Sequence, residues 1–224
     1  METTNQPGYK GPHAGMLAVI FMVLFNAGLS FVISFTGTPP YFPGPWESAE
    51  TITAYFRDHS NDVLLCAFFQ FCAAIPLGLF TAAVVTRIRL KVKAAGTFIA
   101  LFGGMMTAFN LALSAMVLWV MAHPAISPNE TLIPALYYLV FAIGGVGYSV
   151  PLGLLIAGVA VTSGITKMIP GWMMWSGLVI AVAGEVSCLS MVFPKLLFLI
   201  PLTRFPGFVW LILAGFKLSA GTQK

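Results

Sequence analysis

The chain has 224 residues, of which 58% are hydrophobic and only 8% are charged, and its mean hydropathy is +0.92. Soluble globular domains carry about a quarter charged residues, so this composition excludes an ordinary soluble domain and indicates an integral membrane protein. The net charge of +4 is explained by cations retained in loops on one side of a membrane, and it therefore gives no reason to expect a nucleic acid partner.

Six apolar runs are each long enough to cross a bilayer as a helix. They cover residues 15–36, 63–86, 94–122, 132–163, 172–192 and 196–218. No soluble domain remains outside these runs. The sequence thus predicts an all-α, multi-pass protein with a single transmembrane domain over residues 1–224, surrounded by membrane lipids.

The positions of the cations predict the orientation of the chain, because Lys and Arg are retained in cytoplasmic loops. With both termini in the cytoplasm, every Lys and Arg lies on the cytoplasmic side except Arg57, Lys195 and Arg204. We therefore expect both termini to be cytoplasmic.

The chain begins with a polar segment, residues 1–14, which Pro and Gly interrupt and which we expect to form a cytoplasmic tail. The first span is too long for the apolar core of a signal peptide and is followed by no small-residue cleavage site, so we expect it to be retained. Asn26 lies near its middle. Its amide is predicted to hydrogen bond a neighbouring helix or, as the alternative, to contribute to a ligand site.

The longest segment outside the spans is the predicted outer loop, residues 37–62, which opens with several prolines. Residues 47–60 then show helical periodicity, with Ala49, Ile52, Tyr55 and Phe56 near one face. This pattern predicts a short amphipathic helix that lies on the outer membrane surface or caps the bundle. A lid over an outward-facing cavity is the more specific alternative.

The four central spans contain an internal repeat. The sequence from Ile75 to Phe80 recurs from Val150 to Leu155, 75 positions later, and the same offset brings Gly96 onto Gly171. Because the two copies would cross the membrane in the same direction, the pattern predicts a duplicated helical hairpin, residues 63–122 and 132–192, with a pseudo-twofold axis along the membrane normal.

Two charges fall inside the last two spans. At about 1.5 Å per residue, Glu185 and Arg204 reach the same height, about 20 Å above the cytoplasmic ends of their helices, so the sequence predicts that they pair. The repeat places Asn110 at the position equivalent to Glu185. The other side chains that could join this polar site are Gln70, Tyr148 and Asn26.

The sixth span is predicted to be irregular, because Pro201 and Pro206 bracket Arg204. We expect helical pieces over residues 196–200 and 207–218 with an unwound joint between them. In the alternative arrangement, Arg204 lies at the outer interface and extends toward lipid headgroups.

The sequence contains no motif for catalysis, phosphate binding or a cofactor, so no catalytic residue, metal site or cofactor is predicted. The three cysteines lie within spans without a C-x-x-C pair and are interpreted as packing residues: Cys66, Cys72 and Cys188. His59 and His123, together with nearby acids, form an alternative outer metal site, against the simpler interpretation of solvated loops.

The segment from Leu202 to Ile212, with Ala214, Gly215 and Phe216 after it, resembles the C-terminal signature of an uncharacterised bacterial multi-pass membrane family, a domain of unknown function. Residues 47–50 and 151–153 are also similar to that family. The resemblance implies the bacterial inner membrane and supplies no activity, substrate or site residue.

The leading functional hypothesis is binding or transport of a small anionic or amphipathic molecule, lipids included, at the intramembrane polar site. Arg204 would hold the anion, and Glu185 would orient Arg204 or exchange a proton. The second hypothesis is a scaffold or accessory subunit, in contact with membrane-protein partners or with its own copies, without a ligand. A lipid-modifying membrane enzyme is the third, because few acids and bases are available.

Overall fold

The computed structural model describes residues 11–32 and 41–220. Helices α1 to α8 cover Ala14–Val32, Ala49–Asp58, Ser60–Lys91, Ala95–Met121, Leu132–Gly144, Val146–Ile165, Gly171–Val186 and Leu199–Ala220. Two short 3₁₀ segments, Ser187–Met191 and Pro194–Leu196, connect α7 to α8. No strand occurs within the described ranges, which confirms the all-α prediction.

Six helical stretches are long and apolar enough to cross a membrane, as the sequence predicts. They are α1, α3, α4, the consecutive pair α5 and α6, α7 with its 3₁₀ extension, and α8 with the short turn before it. The predicted tail up to residue 10, the end of the first span and the first prolines of the long loop lie outside the described residues.

Hydrogen bonds bring the start of α1 and the ends of α3 and α8 to one end of the bundle. The backbone N–H of Ala14 donates to Ser219 Oγ (3.2 Å), and Arg87 Nη2 donates to the carbonyl oxygen of Pro12 (2.9 Å). We call this the basic end, because it carries Arg87, Arg89, Lys91, Lys93, Lys167 and Lys217. The opposite end, which α2 covers, is called the α2 end.

Helix α2 caps the bundle instead of lying on the membrane surface. Its first turn is capped by Ser48, whose Oγ accepts a hydrogen bond from the Thr51 N–H (3.2 Å). Ile52 and Phe56 are completely buried in a cluster with residues of α4 and α5. Burial raises the pKa of Tyr55, whose hydroxyl donates to the Val32 carbonyl oxygen (3.2 Å) and so ties α2 to the end of α1.

The predicted break in the sixth span is wrong. Helix α8 is continuous from Leu199, and Pro206 lies inside it. Pro201 falls in the first turn, where a backbone N–H has no intrahelical acceptor, so the proline costs little there. The fourth span is interrupted instead, at Gly145, whose φ of −86° and ψ of −93° depart from helical values.

Helices α4 and α6 pack with their backbones in direct contact. A Cβ at Gly158 would lie 2.5 Å from the Gly96 carbonyl oxygen and 2.6 Å from the Ala100 nitrogen. Small residues that let helix backbones approach are the usual basis of helix association in membranes. This contact makes α4 and α6 closely packed neighbours in the bundle.

Gly158→Ala is expected to destabilise the fold by about 1–3 kcal/mol, because the atoms that its Cβ would meet belong to backbone and cannot rotate away. Unfolding in mixed micelles, followed by circular dichroism, measures the change. Gly171→Ala is the matched control, since a Cβ at Gly171 meets nothing within 4 Å. Equal stability of both variants would show that the α4–α6 contact is looser than described.

Candidate functional site

A cavity of about 230 Å³ lies within the bundle between the α2 end and the middle of the helices. Five helices each present one face to it, at the three- and four-residue spacing of an α-helix. The lining residues are Phe25, Leu29, Val32, Phe42, Cys66, Gln70, Leu111, Ser114, Ala115, Leu118, Tyr137, Val140, Phe141, Gly144, Gly145, Ile200 and Arg204. Most of these side chains are apolar.

Arg204 is the one charged residue among those that line the cavity. Its Nη2 donates to the carbonyl oxygen of Gly144, and its guanidinium lies over the rings of Tyr148 (4.8 Å) and Phe25 (5.3 Å). Its Nε is buried and has no hydrogen-bond partner in the described part of the chain. Arg204 therefore points into the bundle, unlike the alternative in which it extends to lipid headgroups.

The predicted ion pair between Glu185 and Arg204 is wrong. In residues 11–32 and 41–220, the ion pairs are Arg57–Asp58 and His59–Asp62, both near α2. The carboxylate of Glu185 lies against α6 instead, where its Oε1 would be 3.0 Å from a Cβ at Gly153. Glu185 does not line the cavity, and its Oε1 is buried without a hydrogen-bond partner.

Helices α7 and α8 are neighbours, as predicted, but a different pair of residues faces across them. A Cβ at Gly184 would meet Thr203 Cγ2 at 3.0 Å. Glu185 and Arg204 each follow these residues by one position, and one position turns a side chain by about 100° around the helix. Matched height therefore does not bring the two charges together.

Asn110 has a structural role in the fourth span. Pro151 has no backbone N–H, so the carbonyl of Gly147, four residues earlier, lacks its helical donor. Asn110 Nδ2 donates to that carbonyl oxygen from α4. Asn110 thus satisfies the acceptor that the proline leaves open, and it is not among the cavity-lining residues.

The three remaining predicted site residues, Gln70, Tyr148 and Asn26, do not form one cluster. Gln70 lines the cavity and donates through Nε2 to the Phe25 carbonyl oxygen (3.2 Å). Tyr148 is completely buried beneath the Arg204 guanidinium, and its hydroxyl has no hydrogen-bond partner in the part of the chain described. Asn26 donates to Met22 of its own helix (2.8 Å), so its amide is used within α1 and not in the cavity.

Sequence reasoning missed the apolar and aromatic walls of the cavity. Tyr137, Val140, Phe141 and Gly144 line it from α5, and their spacing is helical. However, α5 is apolar on every side, so no polar face marks which residues point inward. The Tyr137 hydroxyl is already used, because it donates to the Pro43 carbonyl oxygen (2.6 Å).

The chemistry available in the cavity is that of an anion-binding site in an apolar environment. A guanidinium carries five N–H donors, and a carbonyl acceptor engages only part of this capacity here. Within the described ranges, no group of three or more His, Cys, Asp or Glu could hold a metal ion. Cys66, Cys72 and Cys188 are all free thiols.

Comparisons with protein-family models, with curated proteins and with solved structures give no match to this chain. The fold and the cavity therefore carry the functional argument. By itself, the described chain is an all-helical protein with six helical stretches apolar enough to cross a membrane and with a half-buried arginine that lines a cavity between the helices.

Asn110→Leu is expected to cost about 1–3 kcal/mol, because it leaves the half-buried Gly147 carbonyl without a donor. In a Pro151→Ala background the cost should fall, since the introduced alanine has a backbone N–H that can reach the Gly147 carbonyl. Unfolding free energies of the four proteins in one mixed-micelle system give the coupling between the two sites. An equal cost of Asn110→Leu in both backgrounds would contradict the assigned role.

Proposed function

We propose that the protein binds a single-chain amphiphile with an anionic headgroup, and that Arg204 holds this headgroup inside the bundle. The observation that carries the proposal is a guanidinium in an apolar cavity with no carboxylate within ion-pair distance in the described residues. A charge in such surroundings is costly unless an opposite charge accompanies it. A bound anion would supply that charge.

The lining of the cavity supports an amphiphile over a compact, fully polar anion. Leu111, Leu118, Val140 and Ile200 offer the hydrocarbon surface that a ligand chain would contact. Gln70 and Tyr137, which could otherwise bind a polar ligand, donate to backbone carbonyls of the protein itself. The cavity therefore suits a ligand with one charged group and an apolar remainder.

We further infer that the basic end faces the cytoplasm, so that both termini are cytoplasmic and the α2 end is outside. The concentration of Lys and Arg at one end of the bundle supports this orientation. Pro76 in α3 and Pro151 in α6 both lie inside long apolar helices, which supports the duplicated hairpin. A bacterial inner membrane is the proposed location, on the basis of the C-terminal resemblance.

The cavity also bears on the scaffold hypothesis. A protein that serves only to pack against partners has no need for an internal space beside an unneutralised cation. Transport would require a second conformation open to the other side, and binding alone does not. Binding is therefore the activity that the proposal assigns.

Arg204→Leu is expected to remove the preference for an anionic amphiphile while the fold is kept. Native mass spectrometry of the protein in neutral detergent, titrated with dodecanoate and with dodecanol, measures this preference. The natural chain should bind dodecanoate at least about tenfold more tightly than dodecanol, which corresponds to about 1.4 kcal/mol. In the Arg204→Leu variant the two ligands should bind equally.

Two further variants distinguish the effect of the Arg204 charge from the effect of the cavity volume. Glu185→Gln is the charge control, because Glu185 neither pairs with Arg204 nor lines the cavity, and it should keep the preference. Ala115→Phe fills the cavity and should weaken the binding of dodecanoate and of dodecanol to the same extent. If dodecanoate binds Arg204→Leu as tightly as the natural chain, the proposal is refuted.

A further inference from the structure

A second concave surface lies at the basic end, on the outside of the bundle between α4 and α6. It is a groove of about 400 Å³, lined by Val92, Ala94, Gly96, Ile99, Ala157, Gly158, Val161, Thr162, Ile165 and Thr166. Gly96 and Gly158 are among its lining residues, at the point where the two helices cross with their backbones in contact. Thr166 Oγ1 donates to the Thr162 carbonyl oxygen (2.7 Å), so its hydroxyl is used within α6.

Exposed lysines border the groove at the end of the bundle. Lys93 stands between Val92 and Ala94, which line the groove and have extended backbones (φ −149°, ψ 136° and φ −128°, ψ 147°). Side chains alternate in an extended chain, so Lys93 projects to the side opposite Val92 and Ala94, and its long, flexible stem lets the exposed ammonium reach back to the rim of the groove. An apolar groove with a cation at its rim results.

The second bordering cation is Lys167, which follows Thr166 of the groove wall. Its φ of 56° places it in the left-handed region, and its N–H donates to the Gly164 carbonyl oxygen (3.0 Å) as α6 ends. The turn ends the helix directly after the groove residue Thr166, so Lys167 follows the groove wall in the chain and does not continue α6. Lys93 and Lys167 are both exposed.

Within residues 11–32 and 41–220, the acids lie away from this end, on α2 and its flanking loops, on α3 near its start, at Glu130 in the loop before α5, and at Glu185 of α7. The lysines therefore have no acidic neighbour at the basic end of the described chain. The apolar lining of the groove matches the acyl chain of a phospholipid, and the two lysines beside it match a headgroup with a net negative charge. Basic sites between transmembrane helices are known to bind such headgroups.

We propose that this groove is a binding site for an anionic phospholipid, with an acyl chain along α4 and α6 and the phosphate held by Lys93 and Lys167. The site is separate from the Arg204 cavity, since the two share no lining residue. Its occupant is a bilayer lipid of the leaflet at the basic end. The proposed function at Arg204 does not depend on it.

The test compares phosphatidylglycerol with phosphatidylcholine of identical chains, added to the full chain in neutral detergent and followed by native mass spectrometry. The natural chain should retain phosphatidylglycerol about tenfold more tightly, and Lys93→Gln combined with Lys167→Gln should abolish this preference. Lys195→Gln combined with Lys217→Gln removes the same charge from exposed positions away from the groove and should keep the preference.

A second variant tests the acyl chain. Ala157→Phe fills the groove while both lysines remain, and it should lower phosphatidylglycerol retention to that of the lysine variant. Glycerol phosphate, which lacks acyl chains, should not compete. If Ala157→Phe retains the lipid, surface charge alone explains binding and the groove site is overturned. A dimer that Ala157→Phe dissociates would likewise overturn it, because a second copy would then occupy the groove.

Discussion

The guanidinium of Arg204 lies in an apolar interior with no carboxylate beside it, and the surrounding helices compensate this charge only in part. Gly144 of α5 offers a carbonyl oxygen, while Phe25 of α1 and Tyr148 of α6 offer ring faces. Carbonyl dipoles and aromatic rings stabilise a cation without neutralising it. A cation held by neutral groups retains its attraction for an anion, and the anion preference proposed for the cavity follows from this.

The interrupted fourth span supplies the acceptors that hold neighbouring helices to it. At membrane depth no bulk water is available, so each carbonyl released from a helix needs another donor. Asn110 of α4 fills this need at Gly147, and Arg204 of α8 binds Gly144 next to the break at Gly145. Two hydrogen bonds from side chains thus connect α4 and α8 to the fourth span without an ion pair between helices.

The sequence allowed prediction of the features that composition and periodicity determine. Six helical stretches apolar enough to cross a membrane, the amphipathic helix over the long loop and an arginine inside the helical bundle all appear in the structure. The partner of Arg204 could not be predicted, because height along a helix says nothing about direction around it, and the α7–α8 contact is made by Gly184 and Thr203. The helix break was assigned to the prolines of α8, yet the chain departs from helical geometry at Gly145 of the fourth span, where no proline stands.

The distribution of charge around the cavity favours a ligand that arrives through the lipid over one that arrives from water. The acids Glu47, Glu50, Asp58, Asp62 and Glu130 lie at the α2 end, and Arg57, one of the few cations there, is bonded to Asp58 (2.8 Å). A water-soluble anion would meet this negative field over about 8–10 Å before reaching the bundle. Helix α2 also covers that end with Ile52 and Phe56. An amphiphile already dissolved in the bilayer avoids both obstacles, and its hydrocarbon part suits the walls that surround Arg204.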